Sequence, residues 1–197
     1  MKIRVLLGVS AALFLTSAAF GDATIGSLVP GPNPTSGHTY LGQSFIAPTG
    51  ETGLTSAKMT LHGSGSTDSN GFWRLFTFSD DGGTGTLGTQ LGFGPISVLG
   101  SSGATEYSHV FNVPVVAGDK YALLVDWGSP NSAGGYFSNN SYYSGGTMIL
   151  STDGSTPVLY ISYDMAFEVN FGQIPEPALL GVIAPLALLV RRRRPAL

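Results

Sequence analysis

Few residues in this 197-residue chain have the types and spacing that chemistry needs. The three histidines, His38, His62 and His109, form no HxH or HExxH pair, so imidazole metal sites of the usual spacing are absent. No serine stands on a GxSxG elbow, and there is no cysteine, which excludes thiol nucleophiles and thiolate zinc sites. Asp126, Glu106 and Asp164 are the acids that could form the carboxylate pair of a glycoside hydrolase, a reading set against that of solvated surface acids. Gly83-Thr-Gly85-Thr-Leu-Gly88 spells GxGxxG, but a dinucleotide site needs a helix directly after it. The following Thr89-Gln-Leu-Gly-Phe-Gly-Pro95 cannot form one, so the segment is expected to be a glycine-rich turn. Asp80-Asp81-Gly82 and Asp153-Gly154 offer oxygen ligands without EF-hand spacing. They read first as turns. No cofactor or metal is expected; a structural calcium is the one ion such turns could take.

The remaining chemistry is that of binding. Trp127-Gly-Ser-Pro-Asn-Ser-Ala-Gly-Gly-Tyr-Phe-Ser-Asn-Asn-Ser-Tyr-Tyr143 mixes aromatic rings with amides and hydroxyls. Aromatic faces stack on the apolar face of a sugar while amides bond its hydroxyls, so Trp127, Tyr136, Asn140, Tyr142 and Tyr143 are candidate ligand-binding residues. The other reading is structural, with Tyr136, Phe137, Tyr142 and Tyr143 pinning a long loop over the sandwich.

The elements that would position such a site are strands. In Tyr163-Asp-Met-Ala-Phe-Glu-Val-Asn-Phe171 the apolar residues alternate with Asp164, Glu168 and Asn170. Period two is the mark of a half-buried strand with Tyr163, Met165, Phe167, Val169 and Phe171 inward. Lys120-Tyr-Ala-Leu-Leu-Val-Asp-Trp127 is apolar on both faces, as a central strand would be. Gly71–Phe78 is rich in aromatic residues, which favour strand. Weaker strand signals cover Gly42–Ala47, Ala57–Leu61, Ile96–Leu99, Tyr107–Val113, Thr147–Ser151 and Val158–Ile161. A Pro/Gly-rich stretch, Val29–Gly37, reads as a loop or an ordered crossing. Eight or nine short strands separated by turn clusters predict an all-β, antiparallel β-sandwich of jelly-roll type over residues 22–173.

The two ends read as addresses. Residues 1–21 carry Lys2 and Arg4, then an apolar run, then Ala19 and Gly21 at the positions a signal peptidase requires before Asp22. Such a leader implies export through the Sec machinery. At the other end, Pro175 and Pro177 hold Pro175-Glu176-Pro177 extended and open to a processing enzyme. Thirteen uncharged residues follow from Ala178 to Val190, short of the roughly 20 that span a bilayer comfortably. Arg191, Arg192, Arg193 and Arg194 then hold that end in the cytoplasm.

Pro-Glu-Pro, a short apolar helix and a terminal arginine cluster over 174–197 resemble the PEP-CTERM sorting signal of Gram-negative bacteria. The resemblance implies recognition by a membrane-embedded exosortase, an inner-membrane intermediate, cleavage near Pro175–Pro177, and delivery to the cell surface or matrix, where the family is linked to exopolysaccharide and biofilm. A second resemblance runs through the body: Gly42-Gln-Ser-Phe-Ile-Ala-Pro-Thr-Gly50, Leu54-Thr-Ser56, Val115-Val-Ala-Gly-Asp-Lys-Tyr121 and Asp164-Met-Ala-Phe167 are similar to carbohydrate-binding-module-like ectodomains of choice-of-anchor surface proteins. It implies a sandwich and, loosely, a glycan ligand.

Charge separates the partners. Outside the addresses, Lys58, Arg74 and Lys120 face eleven acids, a net charge of −8. That disfavours nucleic acid and anionic membrane as partners. The sequence therefore predicts a non-enzymatic exported protein that binds or embeds in polysaccharide. The alternatives are a structural or adhesive subunit assembled by protein contacts and, behind it, a secreted hydrolase. The intact mass of the protein taken from its native cell surface checks the addresses. The expected chain begins near Asp22, with a cut before Asp22 or after Ala23, and ends near Pro175–Pro177; a mass that retains Arg191–Arg194 contradicts that processing.

Overall fold

The computed structural model describes residues 22–174, apart from 64, 81–83, 101–102, 132, 139–142 and 154–155. The leader, the Pro175-Glu176-Pro177 motif, the apolar tail and Arg191–Arg194 lie outside the described residues, as do Asn140 and Tyr142. The described residues form an all-β domain. The strands, in chain order, are β1 (Thr24–Ser27), β2 (Asn33–Thr35), β3 (His38–Ile46), β4 (Gly53–His62) and β5 (Ser69–Asp80). Then come β6 (Gly85–Val98), β7 (Thr105–Pro114), β8 (Lys120–Asn131) and β9 (Gly134–Ser138). The last are β10 (Met148–Ser151), β11 (Val158–Tyr160), β12 (Asp164–Met165) and β13 (Phe167–Gly172).

They form two antiparallel sheets, as the turn-punctuated sequence predicts. One has six strands in the order β11-β10-β3-β8-β5-β6. The other has seven, in the order β1-β13-β4-β9-β12, with β2 added on β9 and β7 on β4. β8 is central in the six-stranded sheet, flanked by β3 and β5, and its alternation serves two cores. Tyr121, Leu123, Val125 and Trp127 join the main core, with Leu41, Phe45, Trp73 and Leu75 from the same sheet and Met59, Phe167, Val169 and Phe171 from the other. Ala122 and Leu124 alternate with them and join a smaller cluster with Tyr40, Phe78 and Ile149. Thr84 just before β6 bridges Val158 of β11, so the outer strands of this sheet meet and the sheet curls around that second cluster.

Three sequence expectations need correction. From Gly85 onward the GxGxxG segment is strand and not turn. Gly85 to Val98 is one strand, paired with β5 throughout, with register shifts at Leu75/Phe76 and Phe76/Phe78. The glycines masked its alternation. The Val29–Gly37 stretch contains β2, which pairs with β9. The final strand is broken at Ala166: β12 pairs with β9, whereas β13 pairs with β1 and β4. Met165, Phe167, Val169 and Phe171 are buried as expected, but so is Asp164, which the alternation had placed outward. Its carboxylate accepts from Gln43 Nε2 at 2.8 Å and from the Tyr143 amide at 3.0 Å, which offsets the cost of burial.

The free edges β6 and β7 meet where glycine leaves room. A Cβ on Gly94 would lie 2.0 Å from His109 Cε1, and one on Gly92 would lie 2.7 Å from Phe111 Cδ1. The imidazole and the phenyl ring thus fill the seam between the sheets, edge to face with centroids 4.7 Å apart. Burial lowers the pKa of His109 from its ordinary value, against a smaller opposing effect of its hydrogen bond to the Phe93 backbone. Burial likewise lowers that of His38.

Both rings are therefore neutral in the fold at pH values where the unfolded chain already takes up protons. Stability is full above the ordinary histidine value and declines as pH falls through it toward the folded value. The urea midpoint is expected to fall between about pH 7.5 and about pH 5.5, and to fall less in a His109→Gln variant. A wild-type midpoint constant across that window contradicts this account of the seam.

Candidate functional site

A candidate surface site lies on the face of the six-stranded sheet that points away from the main core. It is built by period two. Along β5, Trp73 and Leu75 point to the main core, so Phe72 and Arg74 point the other way. Antiparallel register sets their neighbours on the same face. Phe72 lies opposite Asp126 of β8 on one side and Pro95 of β6 on the other. Arg74 lies opposite Leu124 and Phe93, and Asn70 opposite Ser97. A groove of about 550 Å³ runs along Asn70, Phe72, Arg74, Pro95, Ser97 and Asp126.

The groove is held by charge. Arg74 Nε contacts Asp126 Oδ2 at 2.8 Å, and Arg74 Nη1 donates to Gln90 Oε1 at 2.9 Å. Asp126 Oδ1 accepts the Gly128 amide at 2.8 Å, which fixes the β8 carboxylate in place. The guanidinium has five N–H donors in a rigid fork; Nη1 donates to Gln90, while Nε meets Asp126 as an ion pair without hydrogen-bond geometry. Beside it stand two exposed rings, Phe72 at 46% and Phe93 at 65% of full exposure. Large apolar faces standing in water beside fixed polar groups are what a ligand with one apolar and one hydroxylated face requires. Trp127 also lines the groove. Its Nε1 is buried and meets no hydrogen-bond acceptor among the described residues. The indole lies against Gly71, where a Cβ would come within 2.7 Å of Trp127 Cε3.

The sequence-selected residues are dispersed. The Trp127–Tyr143 stretch is only partly loop, because β8 continues to Asn131 and β9 begins at Gly134. Trp127 belongs to the six-stranded sheet and borders the groove. Tyr136 lies in the other sheet, edge to face with His62 at 5.3 Å. Tyr143 is a pin: its hydroxyl takes the Ile46 amide at 2.9 Å and donates to the Ile46 carbonyl at 3.2 Å. Its ring stands on Phe167, and burial raises its phenol pKa. For Tyr143 this is the structural role that the sequence offered as the other reading of the stretch.

The candidate carboxylates also sit apart. Asp126 is tied to Arg74, Asp164 is buried in β12, and Glu106 stands exposed on β7 of the other sheet. At the two acidic turns, Asp80 pairs with Lys120, and Asp153 accepts from Ser151 Oγ and the Thr156 amide.

Phe72, Arg74 and Phe93 were not selected from sequence. One signal was present: Arg74 is one of only three body cations and interrupts an aromatic strand at the outward phase. No protein-family model matches the chain, and no curated protein sequence matches it.

Proposed function

We propose that this is an exported, non-enzymatic cell-surface or matrix protein. In this reading an exosortase processes it at a PEP-CTERM tail, and it holds exopolysaccharide in the groove of the six-stranded sheet. The body is then a jelly-roll-like, carbohydrate-binding-module-like sandwich. The sorting half of the reading is supported by Pro175-Glu176-Pro177, the apolar run and the four arginines. The binding half is carried by one observation, the exposed Phe72 and Phe93 rings flanking the fixed Arg74–Asp126 pair. The apolar face of a pyranose fits the rings, while the spare guanidinium donors, Asn70 and Ser97 serve its hydroxyls.

Retention of the mature protein on its native polysaccharide tests this. Phe72→Ala removes a half-exposed ring, so the thermal midpoint should move little. Loss of one stacking face should weaken binding by roughly 1 kcal/mol, or about fivefold. Phe72→Ala combined with Phe93→Ala should abolish retention. Retention equal to wild type in the double variant contradicts the groove as the glycan site.

A further inference from the structure

The chain enters and leaves the domain at the same place. β1 pairs with β13 from Thr24 opposite Asn170 to Ser27 opposite Phe167. The Phe171 amide donates to the Ala23 carbonyl at 2.8 Å, and a Cβ on Gly172 would lie 3.2 Å from Asp22 Oδ1. The same end carries the start of β4, because Gly53 pairs with both Gly172 and Pro114. It also carries the Val116 turn, tied in by the Val115 amide on the Thr52 carbonyl. The corresponding end of the six-stranded sheet joins it through the Ala47 amide on the Asp119 carbonyl and through the Lys120–Asp80 pair.

The groove lies toward the opposite end. β4 runs ten residues from Gly53 to His62, roughly 30 Å at the rise of a strand. Just beyond it, Gly63 packs against the Leu99 backbone, with its Cβ position 1.9 Å from the Leu99 carbonyl oxygen. Leu99 follows Val98, which pairs with Ser69 at the start of β5. Asn70, Phe72 and Ser97 are thus within a few residues of the far pole, and Gly128 follows on β8 toward Asn131, whose side chain accepts from Ser69 Oγ at 2.8 Å.

We propose that the folded precursor hangs from the membrane by the Asp22–Gly172 pole and carries the groove on the side facing away from the bilayer. This rests on reading the two ends of the chain as a leader and a membrane-embedded tail. Two tethers to one membrane face can meet the β1–β13 ladder without strain, since paired strands lie only about 4.8 Å apart. The body charge of −8 sets the domain off from an anionic leaflet, so it stands on its pole and does not lie flat. Polysaccharide outside the cell then reaches Phe72 and Phe93 without passing between the domain and the membrane.

The chain has no cysteine, so single-cysteine reporters are clean. Val116→Cys marks the tethered pole, and Leu99→Cys and Ser129→Cys mark the far pole; Val116 and Leu99 are 61% and 56% exposed. The full chain is inserted into vesicles of phosphatidylethanolamine and phosphatidylglycerol holding an acceptor-labelled lipid. It is then floated on a density gradient, and energy transfer from each donor label is read in the floating fraction. The expected result is strong transfer from position 116 and weak transfer from 99 and 129. Equal or reversed transfer in chains that float overturns the orientation and leaves the tail reading intact. A chain that stays out of the floating fraction overturns the tail reading, and the orientation falls with it.

Discussion

Everything in this domain depends on β8 being buried on both faces. With no disulfide to constrain it, the fold must be held by burial. Leu123, Leu124 and Val125 are at most 1% exposed, and each such side chain is worth roughly 1.5–3 kcal/mol when fully buried. Because successive residues of a strand point to opposite faces, one strand supplies two cores at once. Tyr121, Leu123, Val125 and Trp127 bind the six-stranded sheet to its partner. Ala122 and Leu124 gather the outer cluster around which that sheet curls. The same alternation delivers Asp126 to the outer face, beside Arg74 and opposite Phe72, at the point where the apolar run ends. Core and site are thus two phases of one strand.

That dependence explains what the sequence made legible. β8 and β13 stood out because their burial writes a pattern: unbroken apolar residues in one, strict alternation in the other. Both sheets could be anticipated from such strands and the turn clusters between them. Only the end of β6 was read, as Ile96–Leu99; its longer part, Gly85 to Pro95, was missed because its glycines carry no hydrophobic signal. Gly92 and Gly94 are there for the rings of His109 and Phe111, a requirement set by a distant strand. Asp164 was assigned outward for the same reason. Its burial depends on Gln43, 121 residues away, and no local pattern contains that partner.

The candidate site was legible only in part. Trp127 borders the groove, but Tyr136 and Tyr143, selected as rings of the same aromatic and polar stretch, serve the opposite sheet and the Ile46 backbone. The two exposed rings of the groove, Phe72 and Phe93, come from strands that pair only after the chain has reversed. An exposed aromatic residue is indistinguishable from a core one in a single strand until the register of its neighbour is known. The groove therefore belongs to the pairing of β5, β6 and β8, and to no one segment.

The central claim is that this three-strand face is where the protein meets polysaccharide. The most direct test is an amide-resolved NMR titration of the isotope-labelled protein with oligosaccharides cut from its native matrix. The account predicts shift changes confined to Asn70–Arg74, Phe93–Ser97 and Asp126–Gly128, with the seven-stranded sheet unmoved. Shifts centred on Tyr136 or Tyr143, or no shifts at saturating sugar, would contradict it.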